Sequence, residues 1–70
     1  MRDEIHALAV ALLASEGGDS DRALSTALHN AYQHSYDSFK ASPARAEELR
    51  RSALNLRRAA RLIESGAPIV

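Results

Sequence analysis

The side chains of this sequence best able to do chemistry are His6, His29 and His34, and the six arginines that follow residue 42. On a helix, His29 and His34 are five apart and diverge by about 140°, so one metal ion cannot readily take both. His34 and Asp37 are three apart and can share an ion, but two ligands are too few for a protein metal site. The chain has no Cys, which removes disulfides, thiolate ligands and Cys nucleophiles together. No Ser/His/Asp order and no paired-carboxylate pattern stands out. Gly17-Gly18 runs straight into Asp19, whose charge repels a phosphate rather than cradling it. We therefore expect no enzyme, no metal and no cofactor.

Arg22 and His29 are seven apart and share a helix face. This Arg-x6-His spacing resembles that of HEPN-type ribonucleases, and the resemblance implies Arg22 and His29 as an acting pair. The chain departs from that family's pattern at Ala23, where the family carries a polar residue, and the family's domain is longer and has more helices.

The arginines point elsewhere. Projected on a helix, Arg50, Arg57 and Arg61 fall on one edge and Arg51 and Arg58 on the other. Together they span about 120° with Glu47 and Leu54 between them. Five guanidinium groups on one face can meet an acidic protein surface or backbone phosphates. They can also form a solvated face in which Glu47 pairs with Arg51 and Arg61 with Glu64. Zero net charge, with nine basic and nine acidic residues, argues against a dedicated DNA binder. The charge is nonetheless uneven: three basic against six acidic side chains up to residue 41, then six against three.

The elements that must position these groups are three helices. The first, about residues 3–15, stops at Gly17-Gly18. The second, about residues 20–40, starts after Asp19 or Ser20, each a good N-cap. The third, about residues 43–65, opens with Ser42-Pro43 and closes at Ser65-Gly66, beyond which Pro68 cannot continue it and Ala67 to Val70 either hang free or lay Ile69 and Val70 back on the bundle. Its apolar residues Ala46, Leu49, Ala53, Leu56, Ala60 and Ile63 step by three and four, the seam of a helix packed on another helix. The short link between the second and third helices makes them an antiparallel hairpin. In this reading Ala27, Ala31, Ser35 and Ser38 face the third helix. Leu24, Leu28, Ala31, Ser35 and Phe39 form the second helix's core stripe, with Ala27 and Tyr32 at its flanks.

The fold expected is all-α: one three-helix unit, the hairpin with a short hydrophobic first helix packed across it. That first helix is apolar nearly all round. Ile5, Leu8, Ala9 and Leu12 make one stripe, and Ala7, Val10, Leu13 and Ala14 cover most of the rest. A domain of 70 residues has little core to cover it, so a second copy or another protein is the expected cover. The expected function is that of a small cytoplasmic interaction protein, regulatory, chaperone-like or inhibitory. It would bind itself or a larger partner through Leu8, Val10, Leu12, Leu13 and the outward anchor Tyr36, with Arg50, Arg51, Arg57, Arg58 and Arg61 steering an acidic surface. The alternative is a nucleic-acid-associated protein using the same five arginines on phosphates. Arg2-Asp3-Glu4 lacks the charge of a secretory leader, and the apolar run Ala7 to Ala14 is too short to cross a bilayer.

Overall fold

The computed structural model describes residues 2–66, so Ile69 and Val70 lie outside the described residues. Three helices follow in order: α1 (Arg2–Ser15), α2 (Ser20–Ser38) and α3 (Pro43–Ser65). The unit is all-α, with α2 and α3 forming the closest pair and α1 packed mainly on α3 and less on α2. It measures 37 × 23 × 17 Å.

Each boundary has a local cause. At the end of α1 the amide of Gly18 donates to Leu13 O at 2.8 Å and that of Gly17 to Ala14 O at 3.2 Å, the paired closure of a left-handed helix stop. Both residues hold positive φ, 66° and 83°, which a side chain with a Cβ rarely adopts. Asp19 then caps α2, its carboxylate accepting from the Arg22 amide at 3.2 Å. α2 ends at Ser38, two residues earlier than the sequence pattern suggests. Ser38 Oγ donates back to Ser35 O at 2.6 Å, and the Phe39 and Lys40 amides close tight turns onto Tyr36 O and Asp37 O. Pro43 begins α3, where a missing N–H costs nothing.

The α1–α2 turn carries a latch that periodicity does not reveal. Glu16, half-buried, accepts from Thr26 Oγ1 at 3.0 Å through one carboxylate oxygen and from Arg22 Nε at 3.3 Å through the other. One side chain thereby ties the turn to the first two turns of α2.

Among the described residues, eight of the twelve buried hydrophobic ones are alanine: Ala9, Ala23, Ala27, Ala31, Ala46, Ala53, Ala59 and Ala60. The larger ones are Leu12, Leu49, Leu56 and Ile63. All six residues of the α3 seam are buried, as their spacing requires. α2 answers with Ala23, Ala27, Ala31 and Ser38, so two small-residue ridges meet and the helices can approach closely. The expected core stripe of α2 is therefore corrected. Leu28 and Phe39 do not enter the core; the small residues do, because a large side chain between two closely packed backbones has no room.

Candidate functional site

With the alanines of α2 turned inward, Leu24 packs half-buried beside them and the other large apolar side chains of the helix face out. Phe39 is 86% exposed, Tyr32 66%, and Leu28 and Tyr36 49% each. Their numbers step by four, four and three, so they form one continuous stripe about 80° wide, roughly opposite the Ala23/Ala27/Ala31 ridge. Asp21 and Ser25 extend the same stripe toward the N-terminus of α2. This inverts the ordinary amphipathic helix, in which the large apolar residues are the buried ones.

The stripe is ordered along its length. The Tyr32 and Tyr36 rings stack with centroids 6.5 Å apart and planes at 21°. The ammonium of Lys40 sits 5.3 Å from the centre of the Tyr36 ring. Tyr32 and Tyr36, one turn apart on α2, and Lys40 in the turn just beyond it thus make a ladder. The two rings hold each other, which lowers the rotamer entropy that a partner would otherwise have to remove on binding.

One edge of the stripe is bordered by α3. Arg57 Nη2 donates to Ser35 Oγ at 3.2 Å across the hairpin, which places the Arg50, Arg57 and Arg61 edge of α3 beside the α2 stripe. Leu54, 45% exposed, stands among these arginines. Arg51 meets Glu47 at 3.8 Å, as its spacing implies, and Arg45 meets Glu48 at 3.2 Å. The Arg61–Glu64 pair does not form within 4 Å. Among the described residues Arg50, Arg58 and Arg61 have no acidic partner. The arginine face is thus divided: Arg57 is engaged by Ser35, Arg51 by Glu47, and the other three are free to meet an external acid.

α1 offers less surface than its composition suggests. Val10 is 40% exposed and is flanked by the exposed alanines Ala7, Ala11 and Ala14. Leu8 and Leu13 are half-buried and pack against the core. Leu12 is 8% exposed and lies in the core cluster with residues of α2 and α3, so the surface that α1 offers is made by its neighbours. A flank of alanines around one valine loses little by facing water.

The other candidates separate. Arg22 gives its guanidinium to Glu16, and His29 stands exposed two turns further along α2. Among the described residues no three His, Cys, Asp or Glu side chains come together as a metal-ion site. A shallow groove of about 450 Å³ runs along the outer side of α3, lined by Arg45, Glu47, Glu48, Arg51, Ser52 and Asn55, whose charges are largely paired with one another. No described helix is long and apolar enough to cross a membrane. The chain matches no family model, and neither the curated proteins nor the solved structures contain a significant match.

The outer stripe was within reach of the sequence. Leu28, Tyr32, Tyr36 and Phe39 keep helical spacing as well as Ala23, Ala27 and Ala31 do. Two ridges on one helix compete for the core, and the closeness demanded by the alanine seam of α3 decides which one enters.

Proposed function

We propose that this chain is a small helical protein–protein interaction module, acting in the cytoplasm, that docks through the outer stripe of α2. The observation that carries the reading is the exposure of Leu28, Tyr32, Tyr36 and Phe39 on one side of one helix. Aromatic side chains contribute about 150–250 Å² of surface each. At the observed exposures the stripe offers about 500 Å², near the upper end for the largest apolar patch of a typical monomer, about 300–600 Å². Tyrosines ordered by stacking are rigid anchors of the kind that dominate binding energy at interface centres. Arg50 and Arg61, with Arg58 further out, would favour an acidic rim on the partner and speed encounter with it. Such a protein regulates or inhibits by occupying a surface.

The test compares the native chain with a Tyr32→Glu/Phe39→Glu variant in two measurements: mass in solution over a range of concentrations, and capture of proteins from the native host. Loss of self-association or of a captured protein in the variant supports the reading. A native chain that stays monomeric and captures nothing sinks it, as does a variant that behaves like the native chain in both. Binding to phosphates through Arg50, Arg51, Arg57, Arg58 and Arg61 is the competing outcome. It would appear as a low-salt gel shift that survives Tyr32→Glu/Phe39→Glu, disappears in Arg51→Glu/Arg58→Glu, and falls steeply with added salt.

A further inference from the structure

Resting on that reading, we infer that the occupant of the α2 stripe is a second copy of this chain, packed antiparallel about a two-fold axis that crosses α2 near residue 30. The argument is charge and shape along the stripe. Its N-terminal end is acidic, with Asp19 and Asp21, the nearby Arg22 being taken by Glu16. Its C-terminal end sets two bases against the single acid Asp37: Lys40, seated on the Tyr36 ring, and Arg50, two turns along α3 from the Arg57–Ser35 bond. A parallel pair would set acid on acid and base on base. An antiparallel pair sets Lys40 and Arg50 against the partner's Asp21 and Asp19 at both ends.

The register that aligns Lys40 with the partner's Asp21 also matches sizes. Tyr36 comes level with the small Ser25 of the partner at either end, so that ring enters a gap, while Leu28 falls within one residue of the partner's Tyr32 and packs beside it across the axis.

Area points the same way: the roughly 500 Å² of the stripe, with the exposed Leu54 and Arg50 beside it, approaches the roughly 800 Å² that each partner contributes to a standard interface. A core built mostly of alanine leaves a small domain in need of such burial, and the chain has no disulfide to supply stability instead.

Because the chain has no cysteine, the arrangement can be read by cross-linking. Asp21→Cys and Lys40→Cys variants are mixed and oxidised mildly. In the antiparallel dimer Cys at 21 meets the partner's Cys at 40, whereas two copies of either position lie about 28 Å apart along the helix axis. A disulfide spans only about 4.4–6.8 Å between Cα atoms, so the mixed product should exceed either symmetric product by about tenfold or more. Placing Tyr32→Glu in both variants should reduce the mixed product to the level of random collision. Dominant symmetric products, or a mixed product that survives Tyr32→Glu, would overturn the inference. So would a native chain that is monomeric at high micromolar concentration. If that monomer still captures a host protein through the stripe, the self-pairing fails while the interaction reading stands; if it captures nothing, both fail.

Discussion

Phe39→Ala separates the two ways this sequence can be folded. The apolar pattern of α2 invites Phe39 into the core, where truncating a phenylalanine costs about 3–5 kcal/mol. In the structure only about one seventh of its surface is covered, since it is 86% exposed. Full burial of such a side chain is worth about 1.5–3 kcal/mol, so the covered fraction accounts for about 0.2–0.4 kcal/mol. Its cap interactions use backbone atoms, the Phe39 amide donating to Tyr36 O at 3.2 Å, and alanine preserves them. The expected loss in the isolated chain is thus below about 0.5 kcal/mol, the range of ordinary surface changes.

The assay is urea unfolding followed by far-ultraviolet circular dichroism, at a concentration low enough to keep the chain monomeric. With a slope near 1 kcal/mol/M for a small domain, the midpoint should move by less than about 0.5 M. Repeating the measurement at rising concentration supplies the second half of the test. The native midpoint should climb as association stabilises the folded state by mass action, and the Phe39→Ala midpoint should climb less. A loss above about 2 kcal/mol in the dilute chain would refute the reasoning, because it would place the ring inside and leave the outer stripe without its largest member.

Other substitutions test the inner ridge and the latch. Ala27→Leu barely changes helix propensity but forces three further carbons between two close backbones, so a loss of about 1–3 kcal/mol is expected in the same unfolding assay. Glu16→Ala frees both Thr26 and Arg22 and should cost about 1–2 kcal/mol; faster amide exchange in the first turns of α2 would locate the damage there. Asp19→Ala removes the side-chain acceptor of the Arg22 amide and should cost about 1 kcal/mol, read as a lower melting temperature.

What could be read from the sequence was local or strictly periodic. Gly17-Gly18, Asp19, Ser42-Pro43 and Gly66 mark the helix ends within two residues, because each acts through its own backbone geometry or capping group. The α3 seam was legible throughout because it has one apolar ridge and therefore one choice of face. α2 has two ridges about 135° apart, and hydrophobicity ranks the wrong one first: Leu28 and Phe39 are greasier than Ala23 and Ala27. The deciding quantity is the distance between helix axes, set by the residues of the facing helix and not by α2 itself. Glu16 was invisible for a related reason. Its partners Thr26 and Arg22 reach it only after the chain has turned through Gly17-Gly18, and nothing in a carboxylate at the end of a helix announces that.

The inverted α2 also implies that folding and docking draw on separate sets of side chains. An alanine ridge gains stability through close backbone approach and dispersion, with little area removed from water per residue. The aromatic stripe keeps about half of Leu28 and Tyr36 and most of Tyr32 and Phe39 outside that contact, so a large apolar area is still available when a partner arrives. Sites on opposite sides of one helix, with few shared neighbours, behave nearly additively. Changes at Ala23, Ala27 or Ala31 should therefore move the dilute unfolding midpoint, and changes at Tyr32, Tyr36 or Phe39 should move association. In a conventional amphipathic helix the greasiest residues hold the fold, and no such division of labour is open to it.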